Sequence, residues 1–209
     1  GIHHMGYLDV LYRPFFHLFR SKRMDLFVRT MKPDSGKTVL DVGGTSSFWR
    51  RRPEIRNVVI LNLRRDQRSP NQREILGDGK MLPFPSKSVD IVFSNSVIEH
   101  LGDLRSQWEF AEEIARVGRS HFVQTPYKYF PVDPHYMSPN FHVFLGTRLE
   151  KLNRLSLRYL LATGEEERSV GPVRMLGEAE FRGLFPSSTI YREKVFGLYK
   201  SMTAIYPPA

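Results

Sequence analysis

The sequence predicts an α/β domain built on a mostly parallel sheet, and three observations carry that reading. Short apolar runs recur and end on polar or glycine residues: Thr38–Val42, Asn57–Leu63, Glu74–Leu76, Val89–Ser94 and His121–Thr125. Such runs suit strands covered on both faces, which need no polar alternation. Helical patterns lie between them, at 97–101 and 107–117, and strand–helix alternation gives right-handed βαβ units. Finally, the first run stops at Gly43-Gly44, where a tight turn brings backbone close to whatever lies above the strand. A helix capped by Ser46 or Ser47 would then aim its first N–H groups at that space. The pattern is that of a nucleotide crevice at a strand's carboxyl end.

The flanking elements follow in order. Residues 1–4 read as a leftover ahead of a native start at Met5, so the domain is 5–209. Leu8, Leu11, Tyr12, Phe15, Phe16 and Phe19 fall on one helical stripe, predicting an N-terminal helical cap over 7–32 that Pro14 kinks or restarts. It packs on the core, with a lid or membrane contact as its functional reading. Residues 126–144 hold four prolines, His135, His142 and six aromatics, and so long a loop is usually functional. With the basic amphipathic helix predicted at 148–161, it forms a substrate cover over 126–161. A polar loop at 164–171 and a short helix at 177–185 come next. Two final strands, 189–196 and 201–206, form the antiparallel edge of the sheet.

Bulk properties narrow the class. The 209 residues are 41% hydrophobic and 12% aromatic, a globular composition for one domain. No apolar run approaches the ~20 residues of a spanning helix, and no secretory leader is visible. With no cysteine, disulfides and thiolate metal sites are excluded, and a cytoplasmic location is expected. The His, Asp and Glu spacings suggest no metal site. A net charge of +9, from 31 basic and 22 acidic side chains, favours anionic partners, although most of it reads as solvated helix ends and loops.

Ordered blocks then resemble a known family. They are Leu40-Asp41-Val42-Gly43-Gly44-Thr45 with Phe48-Trp49, Ile60-Leu61-Asn62-Leu63, Gly77-Asp78-Gly79 with Leu82-Pro83-Phe84, and Ser94-Asn95-Ser96-Val97-Ile98-Glu99-His100. Gln124-Thr125-Pro126, Phe130-Pro131, Pro134-His135, Gly197-Leu198 and Lys200-Ser201 complete the series. Over about residues 24 to 206 the chain resembles bacterial class I S-adenosylmethionine-dependent methyltransferases. The resemblance implies a Rossmann-like fold: a seven-stranded, mostly parallel sheet with one antiparallel strand and helices on both faces. It implies S-adenosyl-L-methionine as cofactor and S-adenosyl-L-homocysteine as product. Asp41, Gly43, Gly44 and Thr45 would surround the methionine part and ribose. Asn62, with Leu63 beside it, would hold the ribose hydroxyls, Asp78 and Gly79 would meet the adenine, and Ser94 and Asn95 would line the floor near the sulfonium.

The family's glycine-rich pattern is altered, because Thr45 and Ser47 stand where two glycines are common. A dinucleotide site fits worse, since Phe48 occupies the third glycine position that a pyrophosphate turn requires. A sulfonium cofactor has no phosphate to cradle. Asn62 replaces the usual acid, and keeps hydrogen bonding without charge.

A hydroxyl or carboxyl acceptor calls for a base. His135, with Asp133 as orienting partner, is the first candidate and His100 the second. The expected acceptor is a small molecule or a glycan or lipid precursor, O-methylated. Nucleic acid is less favoured, since Ser94-Asn95-Ser96-Val97 lacks the Pro-Pro-aromatic signature of amino-methylating nucleic-acid enzymes. The alternative is a non-catalytic protein of this fold binding RNA or an acidic surface through its basic face.

Overall fold

A computed structural model describes residues 7–33, 36–64, 73–133, 138–139 and 173–207. The elements are α1 (Tyr7–Met31), β1 (Val39–Val42), α2 (Ser46–Trp49), β2 (Val58–Asn62), β3 (Glu74–Leu76) and β4 (Val89–Asn95). A 3-10 turn (Ile98–Leu101), α3 (Leu104–Val117), β5 (Gly118–Pro126), β6 (Val132–Asp133), β7 (Ser138–Pro139), α4 (Glu178–Leu184), β8 (Thr189–Val195) and β9 (Leu198–Tyr206) follow.

Seven strands form one sheet in the order β3-β2-β1-β4-β5-β9-β8. β1 to β5 pair in parallel, whereas β9 runs antiparallel to both β5 and β8. The two last strands therefore form the antiparallel edge of the sheet, as the sequence predicts. β9 lies beside β5, where its Ser201–Ala204 stretch is buried, and β8 is the outermost strand. Because β8 opposes β9, its carboxyl end shares the rim formed by β1 to β5. The chain reverses direction of growth between β1 and β4, the switch point where open α/β sheets bind ligands.

One face carries α3 and α4. Phe110, Ala111, Ile114 and Val117 of α3 join Leu40, Val42, Val92 and Val123 of the sheet and Phe181 and Leu184 of α4. The other face is aromatic. Phe27 of α1 is fully buried, with ring centroids 4.9 Å from Phe93, 5.3 Å from Phe122 and 6.0 Å from Trp49. Met24 and Met31, on the same side of α1, are buried with it.

Pro14 does not restart the helix, because α1 runs as one element through it. Proline removes only one backbone hydrogen bond, and the anchored half of α1 lies seventeen residues downstream at most, under its own aromatic packing. Expected features at Met5, Arg65–Arg68, His142, the helix at 148–161 and the loop at 164–171 lie outside the described residues. Of the 126–161 cover, Pro126–Asp133 and Ser138–Pro139 are described, and β6 and β7 pair antiparallel there.

His121 of β5 lies on the α4 side near the amino end of the parallel strands. Its Nε2 is 2.7 Å from Ser188 Oγ, and its ring stacks 5.5 Å from Tyr206. Burial, helped by Lys87, pulls its pKa down to about 4, so it is a neutral structural histidine.

Phe27→Ala removes the ring on which α1, α2 and the sheet converge. The expected loss is about 3–5 kcal/mol of unfolding free energy, measured by denaturant titration.

Candidate active site

The site is built where β1, β2, β3 and β4 end. Asp41 of β1 is 1% exposed, and its Oδ2 accepts a hydrogen bond from Trp49 Nε1 at 2.6 Å. Its Oδ1 is buried without a hydrogen-bond partner, and so is Ser46 Oγ in the same loop. Burial raises the Asp41 pKa to about 7, against the opposing Trp49 hydrogen bond.

Two glycines shape this loop for different reasons. Gly43 has φ +81°, and a Cβ there would lie 2.6 Å from Val97 Cγ2. A Cβ on Gly44 would fall within the Asp41 carboxylate itself. Gly43 N also donates to Leu61 O at 2.8 Å, tying the turn to β2.

The expected cap differs. Thr45 occupies the N-cap position and makes no side-chain cap hydrogen bond, while Ser46 is the first helical residue. α2 is a single turn of four residues, too short for summed peptide dipoles to direct a ligand. The loop therefore works through its close packing on Asp41 and not through a helix end.

Asn62, at the tip of β2, donates from Nδ2 to Gly44 O at 3.0 Å and to Glu74 Oε1 at 3.2 Å. The residue that replaces the usual acid thus holds the glycine loop and borrows a carboxylate from β3. Leu63 follows, 74% exposed. Beyond β3, Asp78 Oδ1 accepts from Lys80 N at 2.9 Å, closing the Gly77–Gly79 turn. Gly79 presses on the core, since a Cβ there would lie 2.8 Å from Phe110.

At β4 the two candidates separate. Ser94 is fully buried and donates to Val42 O at 3.0 Å. It ties β4 to β1 beneath the rim. Asn95, the last residue of β4, accepts from Arg23 Nη1 at 2.6 Å, and Arg23 Nη2 lies 3.2 Å from Glu193 Oε2. The N-terminal helix therefore reaches the rim through one guanidinium. Ser201 Oγ donates to Glu193 at 2.8 Å and Lys200 Nζ lies 3.8 Å away. Burial pulls Lys200 down to about 8, partly offset by Glu193.

Among the candidate bases, His100 is exposed at the end of the 3-10 turn, while its neighbour Glu99 is fully buried and accepts from Thr125 Oγ1 at 3.1 Å. His135 and the Asp133 side chain lie outside the described residues. Asp41, Gly43, Gly44, Thr45, Asn62, Asp78, Gly79 and Asn95 share one rim, at the ends of neighbouring strands. Trp49, Glu74 and Arg23 complete it and were not singled out by sequence. Trp49 belonged to the first quoted block, but nothing in the sequence tells a core aromatic from a donor to Asp41.

The rim's donor set tests which group it suits. Its side chains are the carboxylates of Asp41, Glu74 and Asp78 and the amides of Asn62 and Asn95, which match hydroxyl, amine and ammonium groups, and its one guanidinium, Arg23, is already engaged by Asn95 and Glu193. The unpartnered Asp41 Oδ1 beneath a glycine cradle suits a positively charged ligand. Among the described residues no three His, Cys, Asp or Glu side chains could hold a metal ion.

Residues 52–121 match the family described as methyltransferase domain. An uncharacterized methyltransferase from Mycobacterium sp. (strain JLS) is 33% identical over 92 residues, covering 40% of this chain and 35% of that protein. The chain thus spans about a third of the length of the curated relatives it matches. A solved structure from Pyrococcus horikoshii OT3 covers 93% of this chain and 91% of its own, with TM-score 0.60 and 18% identity. The magnesium protoporphyrin IX methyltransferase from Synechocystis PCC 6803, solved with bound SAH, covers 98% of this chain and 90% of its own, with TM-score 0.54 and 12% identity. At these identities the two structures establish the fold. Over residues 52–121 the chain matches a methyltransferase domain, set within a seven-stranded Rossmann-like α/β fold.

Proposed function

We propose that the protein is an S-adenosylmethionine-dependent methyltransferase acting on a small-molecule or glycan or lipid-precursor acceptor, with O-methylation as its reaction. The observation that carries this reading is the Asp41–Gly44 cradle: a buried carboxylate with one unpartnered oxygen under a turn that admits no side chain. When bound, S-adenosylmethionine supplies a methyl group on a positively charged sulfur, and S-adenosylhomocysteine leaves neutral. The protein's main contribution is alignment, worth roughly 7–11 kcal/mol of barrier.

Each rim residue has a role in that alignment. Asp41 places negative charge beneath the cationic end of the cofactor. Asn62 keeps its Oδ1 for a ribose hydroxyl while its Nδ2 holds the loop, and Glu74 supplies the charge that Asn62 lacks. Leu63 covers the adenine, and Asp78 and Gly79 bind its edge. Asn95, steadied by Arg23, faces the transfer site, with Ser94 fixing the strand below. His135 takes the acceptor's hydroxyl proton on its imidazole, oriented by Asp133, as the new oxygen–carbon bond forms. His100 is the second candidate for that proton. The expected location is cytoplasmic.

The alternative, a binding protein that uses Arg50–Arg52 as a basic face, is weakened by geometry. Arg52 is already paired with Asp25 and lies 3.6 Å from Glu54. Titration calorimetry with S-adenosylmethionine decides between them: binding at micromolar to low millimolar cofactor is expected, and no heat at millimolar cofactor overturns the methyltransferase reading.

Asp41→Asn separates stability from binding. An acid whose folded pKa lies above its unfolded value costs stability once ionised in both states. For Asp41 that cost is absent below about pH 4 and full above its folded value of about 7. The amide keeps an oxygen for Trp49, so unfolding free energy should rise relative to wild type by up to about 4 kcal/mol above pH 7. The difference should shrink toward zero as pH falls to about 4, while cofactor affinity drops at least ~10-fold, about 1.4 kcal/mol. Once an acceptor is in hand, His135→Ala should lower kcat by ~10²–10⁴ with cofactor affinity unchanged.

A further inference from the structure

The hairpin joining β8 to β9 is built against its own local preferences. Val195 pairs with Leu198, so the loop has two residues, Phe196 and Gly197. Their φ angles are +48° and +80°, the mirror-image turn that normally takes Asn-Gly. A bulky Phe in the left-handed region is strained. Contacts among the described residues do not compensate, because Phe196 is 97% exposed and Leu198 beside it is 52% exposed. β8 runs with β1 to β5, so this apolar tip stands on the same rim as Asn62, Asp78 and Asn95.

Cations lie on aromatic rings around the end of β5 and the start of β9. Lys194 Nζ is 5.1 Å from the centroid of Tyr199, and Tyr199 lies 6.0 Å from Tyr127. Tyr129, 52% exposed, carries Lys128 Nζ at 5.7 Å, and Phe19 carries Lys200 Nζ at 3.4 Å. Nearby carboxylates are each held by cations: Glu193 by Arg23 and Lys200, Glu178 by Arg182 and Arg192, and Glu180 by Arg174. An apolar tip, a tyrosine collar and a surplus of positive charge are the composition of a surface that enters the headgroup layer of an acidic membrane.

We propose that the Phe196–Leu198 hairpin docks the rim on an anionic lipid bilayer, inserting Phe196 and Leu198 among the acyl chains while Lys194 and Lys128 meet the headgroups. Single-stranded RNA is the less suited partner, since it is held in grooves lined by stacking platforms and this tip is convex. The proposal stands apart from methyl transfer, and its test does not depend on a cofactor.

The test is cosedimentation of the full chain with phosphatidylcholine vesicles, with and without phosphatidylglycerol. Binding is expected on phosphatidylglycerol-containing vesicles, much less on phosphatidylcholine alone, and weaker as salt is raised. Phe196→Asn should lower that affinity about tenfold. Its melting temperature should match or exceed wild type, because Asn accepts the left-handed conformation, and its response to S-adenosylmethionine should not change. Equal vesicle binding by wild type and Phe196→Asn, no preference for phosphatidylglycerol, or binding of an RNA oligomer without vesicle binding would each overturn the proposal. A wild type that ignores S-adenosylmethionine but binds vesicles through Phe196 would sink the methyltransferase reading and leave this one intact.

Discussion

The rim depends on one buried carboxylate. Asp41 sits on the central strand, shielded from water, with Trp49 on one oxygen and Gly44 folded directly over it. Burying a carboxylate with one unpartnered oxygen is costly, and the same burial raises its pKa. A domain optimised only for stability would place an apolar residue there. The surrounding aromatic core supplies the rigidity needed to hold it: Trp49 packs against Phe27, Phe48 and Phe93 while its indole N–H faces Asp41.

From that carboxylate the constraint spreads along the rim by short polar links. Gly44 lies over Asp41, its carbonyl is held by Asn62, and Asn62 is held in turn by Glu74 of the next strand. On the other side Ser94 binds the Val42 carbonyl, and Asn95 is fixed by Arg23. These links cross β3, β2, β1, β4, β8 and α1. They explain how a loop with two glycines replaced keeps its shape: positions 43 and 44, where a Cβ would collide, remain glycine, while Thr45 and Ser47 stand where the turn has already passed the crowded point.

The helix α1 joins two functions that the fold alone does not require together. Its lower turns close the aromatic face through Met24, Phe27 and Met31, while Arg23, next to Met24, reaches the carboxyl tips. Phe19, higher still, receives Lys200 from the start of β9. The helix is thus both core and rim, and the same strand β9 that supplies Lys200 begins at the exposed hairpin.

The sequence by itself determined the α/β class, the five parallel strands and the polar residues at their tips. Strand burial and strand termination are local properties, written as apolar runs that stop at Gly, Asn or Asp. It also pointed to Asp41, Asn62, Asp78 and Asn95, which lie at or within two residues of the ends of β1, β2, β3 and β4. Tertiary structure decided the rest. Which of the two edge strands lies beside β5 depends on pairing partners far away in sequence, so the placing of β9 inside β8 was left to the fold. Ser94 and Asn95 are adjacent in sequence, yet one is sealed against Val42 and the other meets Arg23, because successive strand residues face opposite sides of the sheet. The partners Trp49, Glu74 and Arg23 became visible only when folding brought them to the rim, since a hydrogen bond between distant residues leaves no periodic trace in the chain.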